Sequence, residues 1–112
     1  MGRTTLTDPQ CAHVLKALGD ATRLRLLESL LMQDQCVTEL VKLLRRSQPH
    51  VSHHLRILRS AGLVEGIREG KRVCYRVAPA VARAIKDRQV SSLDFGCCQL
   101  SFPRTHLLSI GR

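Results

Sequence analysis

Three successive stretches between residues 20 and 62 repeat their apolar residues at helical spacing, and only a few polar residues separate them. Apolar residues three and four positions apart share one face of a helix, which must be buried against another element. The apolar sets, in chain order, are Leu24, Leu26, Leu27, Leu30 and Leu31; Val37, Leu40, Val41 and Leu44; and Val51, Leu55 and Leu58. The first set spans so wide an arc that its helix belongs in the core.

Signals at the ends of these stretches support the same interpretation. Asp20 and Ser47 are suitable N-caps for the first and third helices, and Gly62 stops the third. A short helix is also predicted over residues 9–18, and Pro79 opens a last helix predicted over 79–90. The chain therefore contains five predicted helices.

Two short runs, LVEGIR and RVCYRV, are rich in residues that favour strands. Glu69, Gly70 and Lys71 connect them, and a glycine in the connection is typical of a hairpin turn. The predicted order is α-α-α-α-β-β-α, which is mainly α with a small β-hairpin.

The charge of the chain indicates its partner. Its 112 residues suffice for one domain, and 18 Lys and Arg against 9 Asp and Glu leave a net charge of +9. A folded basic domain favours a polyanion, nucleic acid above all. No spanning segment or signal peptide is recognised, so we expect a cytoplasmic protein without a membrane partner. We also find no constellation that predicts an enzyme.

The third helix of the central group, SQPHVSHHLRILRSAG, carries the residues expected to touch DNA. Its outward face offers hydrogen-bond donors and positive charge but no carboxylate, which suits base edges and phosphates. The predicted contacts on this face are Gln48, His50, Ser52, His53 and Arg56. Arg68, Lys71 and Arg72 cluster at the hairpin tip, within reach of neighbouring phosphates.

Four motifs in this order resemble the ArsR/SmtB family of bacterial metal-responsive repressors. They are ALGDATRLRLLESL, VTELVKLL, SQPHVSHHLRILRSAGLV and REGKRVCYRV, and the resemblance covers roughly residues 10–88. It implies a winged helix–turn–helix that forms a homodimer through its first and last helices. It also implies binding to double-stranded DNA at an imperfect inverted repeat, with release by an inducer.

Five cysteines raise the question of what that inducer is. They are Cys11, Cys36, Cys74, Cys97 and Cys98. Adjacent Cα atoms lie about 3.8 Å apart, too close for a relaxed disulfide, yet two adjacent sulfurs can turn to one soft ion. Thiolates select As(III), Sb(III) or Cd(II) over hard cations, and As(III) favours three sulfurs. Cys97 and Cys98 are therefore the predicted ligands.

Family resemblance narrows the choice of sensor site. The family's arsenic site at the start of the third helix is incomplete here, because only Cys36 remains of three cysteines. Its zinc and cobalt site on the last helix needs histidines, which residues 79–90 lack. The GCC sequence resembles members with thiols beyond the last helix, although a third cysteine is missing there. Cys11, Cys36 and Cys74 stay open as the third ligand, and His106 is a possible extra ligand, although a single histidine in a tail is more often solvated.

These observations leave three hypotheses. The first is a homodimeric repressor released by As(III) or another soft ion, with a DNA-binding and dimerisation domain over 1–90 and a cysteine-bearing tail over 91–112. The second is a repressor of the same fold that responds to oxidants or persulfides. The third is an architectural protein that binds DNA constitutively. Cys36 and Cys74 are individually expected to be apolar filler.

Overall fold

The computed structural model describes residues 6–87 and 92–102. The helices are α1 (Asp8–Ala17), α2 (Ala21–Met32), α3 (Val37–Leu44), α4 (Gln48–Ser60) and α5 (Pro79–Ala84). The strands are β1 (Gln35–Cys36), β2 (Val64–Glu69), β3 (Arg72–Val77), β4 (Ile85–Asp87), β5 (Ser92–Asp94) and β6 (Gln99–Ser101). The part of the chain so described is mainly helical with a small antiparallel hairpin, as predicted.

Side-chain caps fix where the central helices begin. The Asp20 carboxylate accepts a hydrogen bond from the Arg23 amide at 3.1 Å, and the Ser47 hydroxyl accepts one from the His50 amide at 3.3 Å. Each bond satisfies an amide that has no partner within the helix. Both predicted N-caps are therefore confirmed.

Helices α2, α3 and α4 supply most of the core. Leu26, Leu27, Leu40, Leu55 and Leu58 are all fully buried. Burial of a leucine side chain contributes roughly 1.5–3 kcal/mol, so this cluster holds the three helices at fixed angles. The outward face of α4 is positioned by that packing.

The hairpin of β2 and β3, which we call the wing, packs beside this core. Its register runs from Val64 opposite Val77 to Glu69 opposite Arg72. Gly70 takes a φ of +65° in the two-residue turn, a conformation that side chains with a Cβ rarely adopt. The two-residue strand β1 pairs with β3 on its other edge, placing Cys36 opposite Cys74.

The structure differs from the prediction in the C-terminal half of the last helix. Helix α5 ends at Ala84, and Ile85 begins a strand paired with β5, which in turn pairs with β6. Pairing of Ile85 with Leu93 outweighs the helical pattern, and residues 88–90 lie outside the described part. Leu93, Phe95 and Phe102 are buried in the main core.

None of the helices found in residues 6–87 and 92–102 has the length and apolar character needed to cross a bilayer.

Candidate nucleic-acid interface and thiol clusters

The outward face of α4 carries the predicted contacts. Gln48, His50, His53 and Arg56 are exposed, and Ser52 is half-buried. Their exposure follows from the burial of Val51, Leu55 and Leu58 on the opposite face of the same helix. The helix is thereby anchored on one side and free to donate hydrogen bonds on the other.

A cleft of about 360 Å³ lies between this face and the wing. It is lined by Cys36, Val37, Thr38, Gln48, Ser52, Arg56, Arg59, Lys71, Arg72, Val73 and Tyr75. Four of these side chains are cationic, and among the lining residues of the described chain none is acidic. We call it the basic cleft, because its walls can neutralise phosphates from both sides.

The basic residues of the wing have different environments. Arg68, Lys71 and Arg72 are exposed near the tip, as the sequence predicts. The Arg72 guanidinium lies 4.0 Å from the Glu39 carboxylate, and Arg76 donates to Glu65 at 2.6 Å across the hairpin. Arg76 is therefore occupied within the wing, and its charge is less available to a phosphate than that of the residues at the tip.

A polar network joins the inner side of α4 to α2. Arg23 Nη1 lies 3.0 Å from His54 Nδ1, and that histidine nitrogen lies 4.0 Å from the Asp20 carboxylate. Arginine can only donate, so His54 Nδ1 accepts and the ring is neutral in this contact. Protonation of Nδ1 would remove the hydrogen bond between Arg23 and His54.

The electrostatics of the network agree with that assignment. Burial lowers the pKa of His54 below its ordinary 6.5, although Asp20 opposes the shift. Burial raises the pKa of Asp20, but the Arg23 amide together with the charges of His54 and Arg23 brings this pKa below its ordinary 3.8. His54 is thus kept neutral and Asp20 charged near neutral pH.

Three cysteines from opposite ends of the chain meet at one point. Cys11 and Cys97 form a disulfide, and the Cys98 sulfur lies 3.9 Å from Cys11 Sγ and 3.8 Å from Cys97 Sγ. All three sulfurs lie within 4.8 Å of one another. We call this set the thiol cluster. Cys11 is buried on α1, whereas Cys97 is exposed and Cys98 is half-buried.

A tight turn holds the vicinal pair in place. Residues 95–98 connect β5 to β6, and the Phe95 amide donates to the Cys98 carbonyl at 2.9 Å. The Asp94 carboxylate accepts a bond from the Gly96 amide at 2.8 Å, and Gly96 has a φ of +86°, which glycine tolerates best. The Leu6 amide donates to the Phe95 carbonyl at 3.2 Å, so the segment before α1 is fastened to the same turn.

The donor set of the thiol cluster suits a soft three-coordinate ion. Reduction of the disulfide would leave three thiols close together. Arsenous acid would then be able to condense with them, forming three As–S bonds and releasing three waters without any change of oxidation state.

Cys36 and Cys74 lie apart from the thiol cluster. They form a second disulfide between β1 and β3, and both are buried. The Glu69 carboxylate lies 3.7 Å from Cys74 Sγ. We call Cys36 and Cys74 the wing thiol pair.

The sequence pattern points to the vicinal pair but not to the partners around it. Cys11 is one of three candidates for the third ligand, because a contact between residues 11 and 97 has no spacing signal. The pattern also predicts no role for Glu69 or for the inward His54. Only the buried positions of the flanking residues on α4 could have placed His54 inside. His106 lies outside the described residues.

Comparison with known proteins gives a consistent family. Residues 20–66 match the model for the bacterial regulatory proteins of the arsR family. A transcriptional repressor SmtB homolog from Synechocystis is 45% identical over 69 residues, covering 62% of this chain and 52% of that protein. A probable mercury resistance operon repressor from Streptomyces lividans is 38% identical over 94 residues, covering 78% and 74%.

Two further matches are an operon repressor and a homodimeric DNA-binding domain. The arsenical resistance operon repressor of Escherichia coli is 39% identical over 70 residues, covering 62% of this chain and 60% of that protein. The homodimeric winged helix–turn–helix DNA-binding domain of a possible ArsR-family regulator from Mycobacterium bovis superimposes with a TM-score of 0.63 at 32% identity, covering 70% and 78%. The match spans about half the length of the SmtB homolog.

Proposed function

Because the chain belongs to the arsR family of bacterial regulatory proteins, we propose that it is a homodimeric transcriptional repressor released from its operator by As(III) or a similar soft ion. The observation that carries the sensing part is the meeting of three cysteine sulfurs from α1 and the β5–β6 turn. The ligands proposed are Cys97 and Cys98, with Cys11 as the third.

The basic cleft supports the DNA-binding part of the proposal. In this proposal, α4 enters the major groove of an operator half-site, and the wing contacts the neighbouring phosphates. The side chains proposed to contact bases or backbone are those of Gln48, His50, Ser52 and His53. Those proposed to contact phosphates are Arg56, Arg68, Lys71 and Arg72. A two-fold symmetric dimer then requires half-sites about 34 Å apart, or a multiple of that.

The position of the thiol cluster supports a route from ion to DNA. By family resemblance, the first and last helices form the dimer interface, and the thiol cluster fastens the first of these helices, through Cys11, to the β5–β6 turn that follows the last helix. In this proposal residues 1–90 bind DNA and dimerise, and residues 91–112 complete the sensor. An ion that pulls Cys11 towards Cys97 and Cys98 favours one arrangement of that interface. A difference in binding energy of about 1–3 kcal/mol weakens DNA binding 5- to 150-fold.

The test is fluorescence anisotropy of the phosphine-reduced protein on its promoter DNA during titration with arsenite, antimonite, Cd²⁺ and Zn²⁺. We expect arsenite to release DNA from the wild type but not from Cys11→Ser or from Cys97→Ser/Cys98→Ser. Ala12→Ser is the matched control, since it introduces the same side chain at an exposed neighbour. Retained release in both cysteine variants would reject the thiol cluster as sensor. Release by oxidant alone would instead support a redox sensor.

A further inference from the structure

The base of the wing brings together a second set of soft-metal donors. Cys36 ends β1 and precedes α3, Cys74 lies in the middle of β3, and Glu69 ends β2. Strand pairing places Cys36 opposite Cys74. One sulfur from each cysteine and one carboxylate oxygen from Glu69 all lie within 4.8 Å of one another.

We propose that Cys36, Glu69 and Cys74 form a binding site for a thiophilic divalent cation such as Zn²⁺ or Cd²⁺. Metal–sulfur bonds of about 2.3 Å and metal–oxygen bonds of about 2.0–2.2 Å place tetrahedral ligand atoms some 3.5–4 Å apart. Cys74 Sγ and the Glu69 carboxylate already lie 3.7 Å apart, and the two sulfurs can separate to such a distance once their disulfide is reduced. Three protein ligands leave the fourth position to water. As(III) prefers three sulfurs, so this donor set selects a different ion from the thiol cluster.

The surroundings favour loss of the thiol protons on metal binding. Cys36 is the residue that precedes the first turn of α3, where the helix dipole stabilises negative charge. Its amide donates to the Glu39 carboxylate at 2.7 Å, which fixes the position of Cys36 at the start of α3. Both cysteines are buried, whereas Glu69 is exposed. The ion therefore enters from the solvent side, where Glu69 and the basic cleft lie.

The disulfide and the ion compete for the same two sulfurs. The bond occupies both in the oxidised protein, so metal binds only when Cys36 and Cys74 are reduced. In a reducing compartment thiols are the expected form. A bound ion would then tie β1, the wing and the start of α3 together.

Metal binding at this site should stabilise the wing, and this effect can be measured without DNA. An ion held by Glu69 of β2 and Cys74 of β3 ties both strands of the wing to Cys36 of β1. Cys36 lines the basic cleft together with Lys71 and Arg72. We expect the amides of β2 and β3 to exchange with solvent at least tenfold more slowly when Cd²⁺ is bound. Slower exchange confined to α1 and the β5–β6 turn would contradict the site.

The test uses the full chain with Cys11→Ser/Cys97→Ser/Cys98→Ser, reduced with a phosphine, so that only the wing thiol pair remains. Titration with Cd²⁺ is followed by the ultraviolet thiolate-to-cadmium absorption. We expect one Cd²⁺ per protomer, and loss of the band on adding Cys36→Ser/Cys74→Ser. No band in the starting variant would overturn the proposal.

A surface substitution keeps the test valid if the double serine variant fails to fold. Glu69→Gln removes the oxygen ligand at an exposed position, and we expect it to weaken Cd²⁺ binding at least tenfold. Glu65→Gln on the same strand is the matched control and should leave the affinity unchanged. Equal affinity in both variants would overturn the assignment of Glu69. Failure of arsenite to release DNA would leave this result untouched, so the two proposals are tested separately.

Discussion

His54 places a titratable group at the contact between helices α4 and α2. Its Nδ1 accepts from Arg23, and burial lowers its pKa below 6.5. The folded state thus binds this proton more weakly than the unfolded state does. Stability from the neutral ring is fully present above about pH 6.5 and is lost as the pH falls below that value.

We therefore expect the free energy of unfolding to decrease as the pH falls through 6.5, and this decrease to be smaller in His54→Gln. Urea unfolding on both sides of that pH measures the effect. His13→Gln, at an exposed position of α1, should keep the wild-type dependence. An identical dependence in His54→Gln would show that other groups cause it.

Asp20 acts as both cap and charge, and substitutions can separate the two roles. Asp20→Ala removes the acceptor of the Arg23 amide and should lower the free energy of unfolding by about 1 kcal/mol. Asp20→Asn keeps an acceptor and should lower the free energy of unfolding by only a few tenths of a kcal/mol at neutral pH. Chemical denaturation compares them, and equal losses would mean that the charge rather than the cap stabilises α2.

At the scale of elements, α4 and the wing form two walls of one basic cleft. Arg56 and Lys71 stand on opposite walls. Each phosphate that a cationic side chain neutralises releases counterions, so affinity for DNA falls with salt in proportion to the number of phosphates neutralised.

We expect Arg56→Gln and Lys71→Gln each to reduce the slope of log affinity against log salt by about one for every phosphate that the variant no longer neutralises. Operator binding at several salt concentrations provides the measurement. Arg83→Gln removes an equal charge from the exposed side of α5 and is the control. A slope that changes equally in all three variants would indicate a general charge effect and no defined cleft.

Elements differ in how far the sequence alone predicts them. Helices α2, α3 and α4 and the wing are confirmed, since each is long enough to repeat an apolar pattern, and α2, α4 and the wing also carry a recognisable cap or turn. Strands β1 and β4–β6 have only two or three residues, so no period can be read from them. They form because of partners distant in the chain. For the same reason, the contact of Cys11 with Cys97 and Cys98 cannot be predicted from the sequence. The exposed face of α4 can be predicted, because Val51, Leu55 and Leu58 mark the buried face.

At the scale of the whole molecule, the proposed homodimer needs an apolar surface near α1. Leu15 on α1 is 53% exposed, and it lies one turn after Cys11. Burial of such a side chain between protomers contributes roughly 1.5–3 kcal/mol.

Leu15→Glu should therefore weaken dimerisation at least tenfold in sedimentation equilibrium. Met32→Glu is the matched control, since Met32 is 60% exposed at the far end of α2. A dimer constant unchanged by Leu15→Glu would place the interface elsewhere. A fall in both variants would point to a general effect of added negative charge.

The separation between Cys11 and Cys97 has a topological consequence. These residues lie 86 positions apart, so any link between them, a disulfide or a shared ion, converts most of the chain into a closed ring. The closed chain has far fewer unfolded conformations than the open chain. In the chain-entropy model this loss of entropy stabilises the folded state by about 4–5 kcal/mol. Helix α4 and the wing, to which DNA binding is assigned in the proposed function, lie inside the ring. In that proposal, the ligand that releases the protein from its operator also makes the free protein harder to unfold.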